Sequence, residues 1–422
     1  MDCPFPVLPG SSEERSLISN LLAELDYHEL TYMLEPIYVA VPIYSEATLI
    51  VDSKPVKAVP LPPSPSLHGR VRQYMVSELP NNPLHLKSMY EEAVNYGAEL
   101  LVLRGRGFGF ISRGPGLSLQ GNDYPPIPAV VVDEWNYKGT SLEVEIEARI
   151  SEGLAYNLVI ERQGETDDKI VVSTHLDSWP RLNDNCPAIN VLIKLIRFIV
   201  DRGAKKSIEF VIATARHFGD PVLPSMYWGL GHRQYFNRFG NDAALAIIFE
   251  SGAALSSVAS EEFQGLLGIR LGHPPFAASI HPDSMGIPII HVEGGLDVLT
   301  MLESMIESLD AVEDLSTKLT ENYVAAVSSS LSRFGMGHLI NRIDKHNRST
   351  VRRLLTKYLV INDKEVVRPT SILDFLASTR GIDVSEAGSG FKLIGRNSPE
   401  SSIRARIDDV IHDIRRILIQ GE

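Results

Sequence analysis

The chain has 422 residues, 44% hydrophobic and 22% charged, with 40 Lys and Arg against 53 Asp and Glu. That length exceeds one ordinary core, so two or three domains are expected, and the net charge of −13 argues against a nucleic-acid backbone or an anionic membrane as partner. Cys3 and Cys186 are too few for a disulfide framework and fit a reducing compartment; with no basic and apolar leader and no apolar run near the ~18 residues of a membrane span, the expected location is cytoplasmic.

Residues 1–29 hold one helix: Ser11 and Glu14 offer a capping box, and Leu17, Ile18, Leu21, Leu22 and Leu25 follow at helical spacing. Residues 30–150 differ in texture, with short strands among many Pro and Gly. Tyr38–Pro42, Ala47–Val51, Glu99–Leu103 and Ala129–Val132 read as strands, and Ser88–Tyr96 as the clear helix. The run Arg104-Gly105-Arg106-Gly107-Phe108-Gly109 lacks both the Walker lysine and the G-x-G-x-x-G spacing, so it reads as a glycine hairpin.

Over 151–310 strands and helices alternate. Strands are expected at Asn157–Glu161, Lys169–Ser173, Ser207–Thr214, Ala243–Phe249 and Pro288–Val292, with helices at 188–202, near 228–239 and at Leu296–Leu309. This is an α/β pattern: a mostly parallel mixed sheet with helices on both faces. Residues 311–422 read as mainly helical, through Leu315–Ile340, Asn347–Leu359, Ile372–Ala377 and Ile403–Leu418. Their apolar faces exceed what such short helices bury alone, which predicts a homodimer formed partly through this region.

The stretch most informative about function is Lys169–Asn190, KIVVSTHLDSWPRLNDNCPAIN. An apolar strand ends in His175-Leu176-Asp177, and a loop carrying Asp184 leads into the next helix. Imidazole and carboxylates thus gather beyond the carboxyl end of a strand, where open α/β sheets bind ligands. His175 and Asp177 point the same way on an extended backbone, which suits a metal-ligating His with an acidic neighbour; Asp184 can supply an oxygen to the same ion or bridge two. The plain alternative is that His175 and Asp184 serve only as caps. Cys186, at the helix start, reads as a small buried filler.

His-Leu-Asp-Ser-Trp followed by Asn-Asp-Asn and an apolar helix resembles the metal-site segment of the di-zinc aminopeptidase superfamily, which includes glutamate carboxypeptidase II and the transferrin receptor. The approach Tyr156–Glu161 and Gly164 is similar to the strand that precedes it there. The resemblance implies a zinc-peptidase-like domain over 151–310, a protease-associated-like insert over 30–150, and a C-terminal dimerisation region over 311–422. It implies one or two zinc ions held by His175, Asp184 (the bridge), His217, Glu250 and His291, with Asp177 behind His175. Counting back from Asp297 without a gap puts Glu293 in the last slot instead of His291; Gly294-Gly295 marks the place for an insertion and favours His291.

The departure lies after Phe210–Ala215. Where the superfamily has Glu-Glu, this sequence has Arg216-His217. A guanidinium is no base at neutral pH, so the base role falls to Asp220, in a longer loop, or to His217. The resemblance therefore implies a zinc aminopeptidase acting on peptides through a metal-activated water, with an atypical site. The alternative is a non-catalytic binding or scaffold protein of the same fold.

Overall fold

The computed structural model describes the chain apart from residues 1–2, 5, 28–29, 62–63, 80–82, 106–126, 137–141, 179–184, 217–218, 220–228, 253, 273–281, 283–284, 334, 356–357, 362–365, 368–382, 387–391, 396–399 and 421–422. The capping box forms at the start of α1 (Ser12–Tyr27): Glu14 N–H donates to Ser11 Oγ at 3.1 Å. The Glu14 carboxylate lands on the Gly10 N–H at 2.7 Å, one residue outside the usual position. Leu17, Ile18, Leu21 and Leu25 are buried in the main core.

Next comes β1 (Thr31–Val51), then β2 (Lys54–Val56), β3 (Ala58–Pro60), β4 (Leu67–Val71), β5 (Tyr74–Glu78), α2 (Pro83–Tyr96), β6 (Leu100–Arg104), β7 (Ala129–Val132) and β8 (Leu142–Arg162). Strands β1 and β8 pair antiparallel end to end, from Thr31 with Glu161 to Val51 with Leu142. The pair of short strands expected around Pro42 is thus one strand, and residue 150 lies inside β8 rather than at a break. Pro36 and Pro42 fit because β1 is an edge strand over much of its length, where a missing N–H is tolerated. A separate sheet of order β3-β7-β6-β5 lies between the two long strands in sequence. The glycine hairpin expected after Arg104 lies, from Arg106 on, outside the described residues.

The alternating stretch gives β9 (Thr166–His175), α3 (Asn185–Arg202), β10 (Lys206–Ala213), α4 (Leu230–Phe239), β11 (Ala243–Ser251), β12 (Ser256–Ala259), β13 (Arg270–Leu271), β14 (Ile289–Gly294) and α5 (Val298–Asp310). These join the long ribbon in a ten-stranded mixed sheet, β13-β12-β14-β11-β9-β10-β8-β1-β2, with β4 as the tenth strand pairing β8 off this path. Its centre, β14-β11-β9-β10, is parallel. Alternate residues on these strands face opposite sides. Ile170, Val172, Phe210, Ile212, Ile247 and Phe249 meet α1, α3 and α5 on one side. Val171, Val211, Ala246 and Ile248 meet Tyr235 and Phe236 of α4 on the other. Each such fully buried side chain contributes about 1.5–3 kcal/mol.

The tail comprises α6 (Leu315–Arg333), a short 3-10 helix at Gly337–Arg342, α7 (Arg348–Leu355), β15 (Tyr358–Ile361), β16 (Val366–Val367), β17 (Asp383–Glu386), β18 (Lys392–Gly395) and α8 (Glu400–Gln420). Four of its elements form a small sheet, β16-β15-β18-β17, so the region is not purely helical. Tyr358 and Leu359, expected at the end of a helix, belong to a strand; the helix expected at Ile372–Ala377 lies outside the described residues. The apolar faces of α6, α7 and α8 bury one another through Tyr323, Val327, Leu331, Val351, Leu355, Val410 and Ile414.

Cys3 and Cys186 are joined in a disulfide, with Cα atoms 5.7 Å apart. This corrects the reading of Cys186 as an inert filler and removes the cysteine argument for a reducing compartment, since such bonds persist where conditions are oxidising. No described helix is long and apolar enough to cross a membrane.

Candidate functional site

Four parallel strands end on one crevice at their carboxyl ends. Register fixes which side chains share it. Ser173 pairs with Ile248, and Ile248 with His291. By alternation, His175, Glu250 and His291 stand on the same face of three adjacent strands, the face covered by α4. All three are buried.

His175 closes β9. Its Nδ1 lies 2.8 Å from the Asp177 carbonyl oxygen. A carbonyl only accepts, so Nδ1 carries the proton and Nε2 keeps the lone pair. Asp177 does orient His175, as expected, but through its main chain. Its carboxylate Oδ1 accepts the Arg216 backbone N–H at 3.0 Å.

Arg216 follows directly on a residue of unusual backbone. Ala215 has φ of 50°, in the left-handed region that residues with a Cβ seldom adopt. The turn is clamped by N–H groups at the head of α4: Gly231 to the Thr214 carbonyl, Leu230 to that of Ala215, and Gly229 to that of Arg216, at 3.1, 2.8 and 3.0 Å. A side chain on Gly231 would collide with the Thr214 oxygen at 2.2 Å, so only glycine allows this approach. Asn157 braces the same turn, accepting the Thr214 N–H and donating to the Gly231 carbonyl, both at 2.9 Å.

Held this way, Arg216 points inward. Its Nε and Nη2 both donate to Glu250 Oε1, at 3.0 and 2.5 Å, and each residue is only 4% exposed. Burial opposes ionisation of Glu250, but the Arg216 guanidinium outweighs it, helped by His291 and His175, and holds the carboxyl well below the usual range. Arg216 is therefore paired with one member of the expected ligand set, Glu250. Glu293, level with Glu250 on β14, packs its carboxylate against Gly252. Asp184, His217 and Asp220 lie outside the described residues.

Two further side chains belong here although sequence reasoning passed over them. His232, in the first turn of α4, is fully buried with Nε2 2.9 Å from Ser173 Oγ. The Ser173 hydroxyl gives its one proton to the Val211 carbonyl at 3.0 Å, so it accepts from His232 Nε2–H. Burial, then the nearby Arg216 and His175, push the His232 pKa down to about 3, which keeps the ring neutral. Glu14 of α1 reaches the end of β10, where its Oε1 accepts the Thr214 hydroxyl. Burial drives its pKa up to about 8; Thr214 and the Gly10 N–H pull it down, and the Asp177 charge raises it. The local signals, a capping box and a helix start, gave no hint that either side chain reaches the crevice.

No protein-family model matches the sequence, and no curated protein matches it. Solved structures do resemble the fold. A zinc aminopeptidase from Bacillus subtilis gives a TM-score of 0.53 at 13% identity, over 72% of this chain and 89% of that one. A Peptidase M28 precursor from Shewanella amazonensis SB2B gives 0.50 at 15% identity, over 72% and 87%. The chain has the zinc-peptidase fold.

Among the described residues no three His, Cys, Asp or Glu side chains are arranged to hold a metal ion. The carboxylate at the ligand position is instead spent on Arg216. A carboxylate-bound zinc sits about 2.0–2.2 Å from its oxygen, which would press a divalent cation against a guanidinium that keeps its own charge at any ordinary pH.

Proposed function

We propose that this protein is a non-hydrolytic version of the zinc-peptidase fold, a binding or scaffold protein whose catalytic centre is closed by an internal ion pair. One observation carries the reading: the buried contact between Arg216 and Glu250. A fixed positive charge paired with Glu250 supports it, because the superfamily resemblance gives Glu250 to a metal ion and the position of Arg216 to a glutamate base. In this proposal the β-rich stretch 30–150 is the protease-associated-like insert. In it His175, His232 and His291 are buried lining of a crevice rather than a ligand shell.

The zinc aminopeptidase reading keeps in its favour the activity named for the Bacillus subtilis structure and two ligand-capable residues of the sequence, Asp184 and His217, which lie outside the described residues. Metal content of protein purified without chelator, combined with hydrolysis of aminoacyl-nitroanilides under added zinc, cobalt or manganese, separates the two. The expected result is substoichiometric metal and no turnover in the wild type. In Arg216→Glu, which removes the internal cation and restores a carboxylate, zinc uptake is expected. Stoichiometric zinc in the wild type, lost in His175→Ala, would overturn the proposal in favour of the enzyme.

A further inference from the structure

The N-terminal arm, residues 3 to 11, lies against the loop that follows β9. Val7 and Ser178 exchange hydrogen bonds, Val7 N–H to Ser178 Oγ at 2.8 Å and Ser178 N–H to the Val7 carbonyl at 2.9 Å. Ser178 is three residues beyond His175. On the far side of the same loop, the disulfide fastens Cys3 to Cys186, across 183 residues of sequence. Asn185, its neighbour, donates to the Leu176 carbonyl at 2.5 Å and so ties the loop's two ends. Ser178 and Cys186 are thereby both fastened to the arm.

We infer that Cys3–Cys186 is a redox-labile latch on this arm, open to exchange with a dithiol reductant. Its two sulfurs are unequal. Cys186 is buried, whereas Cys3 is partly exposed and offers the sulfur a thiolate reaches. Cys186 lies in the first turn of α3, where the helix dipole favours an anion, and its Sγ accepts from the Asn190 amide at 3.5 Å. Both features make Cys186 the better leaving thiolate, and exchange is faster as the leaving thiol becomes more acidic. In the first step a reductant thiolate bonds to Cys3 Sγ, the S–S bond breaks, and its electron pair leaves on Cys186. In the second, the reductant's other thiol displaces Cys3, which takes up a proton. The dithiol leaves as its own cyclic disulfide, having supplied two electrons. Opening the latch leaves the arm held to Ser178 by the Val7 hydrogen bonds, so the arm around Cys3 gains freedom while the sheet does not.

The test is hydrogen exchange on the intact wild-type protein with and without dithiothreitol, alongside thiol counting by a chromogenic disulfide under native conditions. The expected result is two thiols per chain appearing while the protein stays folded. Exchange should rise on the order of tenfold in peptides covering 1–10, with no change in β10 or β11. Cys3→Ser should show the raised exchange without reductant and no response to it. Thiols that appear only as the protein unfolds, or arm exchange indifferent to reduction, would make the bond a static staple and overturn the inference. This outcome is independent of whether the crevice binds metal.

Discussion

The chain contains a second buried arginine–glutamate pair that matches the first in chemistry and burial. Arg352 Nε lies 2.5 Å from Glu262 Oε1, with the side chains 4% and 1% exposed. The two pairs sit at opposite ends of β11: Glu250 near its carboxyl end, and the Arg352 cluster at its start, where Arg348 donates to the Ala244 carbonyl at 3.3 Å. Their surroundings differ. Arg352 rides on a regular helix among side chains engaged in packing: Asn322 donates to the Glu262 and Gln264 carbonyls, and Arg348 to the Ser316 carbonyl. Arg216 follows a left-handed residue at a strand end, donates its N–H to Asp177, and acts by its charge on the buried His232. A buried ion pair by itself says little about function. A pair at the carboxyl ends of parallel strands, on a residue expected as a metal ligand, says more.

The largest expected effect should be alike at both ends. Truncating one partner leaves a buried charge alone, which costs about 3–5 kcal/mol, so Arg216→Ala and Arg352→Ala should both lower the urea midpoint strongly. Zinc should then divide them. It should restore stability to Arg216→Ala or Arg216→Glu by binding the native state, and leave Arg352→Ala untouched. Equal zinc rescue at both sites, or rescue at neither, would break the comparison.

Titration offers the next contrast. Burial opposes ionisation of both Glu250 and Glu262, but Arg216 and Arg352 respectively prevail and lower both pKa values. Depressed carboxyls contribute stability above their unfolded pKa and lose it as pH falls through the folded value, so both ends weaken in acid. Glu14 has the opposite sign. With its folded pKa raised to about 8 from 4.5, its contribution is complete below pH 4.5 and is lost as pH rises through 8. Only the crevice end should therefore be alkali-sensitive. Glu14→Gln should flatten the stability profile between those values, by an amount on the order of a few kcal/mol, while Glu262→Gln should not. Chemical denaturation at pH 5, 7 and 9 would show it, and a wild type equally stable across that range would refute the Glu14 assignment.

How much of this could be read beforehand follows from range. The strands ending in His175, Glu250 and His291 were legible because their β-branched runs are local, and the missing Glu-Glu pair was visible in Arg216-His217 itself. What Arg216 does instead was not, because its partner Glu250 lies 34 residues on and across a strand. Glu14 and His232 already had sufficient local explanations. Tyr358–Ile361 is a short apolar run, of the kind whose periodicity does not separate strand from helix. The prolines of β1 read as breaks because an edge strand cannot be told from an interior one before the sheet is assembled.

The smallest expected effect concerns the residue before each arginine. Ala215 is left-handed at φ 50°, a conformation that costs a residue with a Cβ about 1–2 kcal/mol. Ala215→Gly removes that cost. Against it stand a more flexible unfolded chain, about 0.4–1 kcal/mol, and the loss of one buried methyl, about 0.8 kcal/mol. The sum is near zero, so the variant should unfold within about 1 kcal/mol of the wild type and keep the Arg216–Glu250 contact. Val351, before Arg352, is helical and fully buried, and no backbone cost is relieved there. Val351→Gly should lose both packing and helix propensity, about 1 kcal/mol for the propensity alone and more for the cavity. Paired urea titrations would compare them. A loss above about 2 kcal/mol for Ala215→Gly would mean that the methyl, packed beside Gly219 and Val39, holds the turn, and that backbone strain has no part in aiming Arg216 at Glu250.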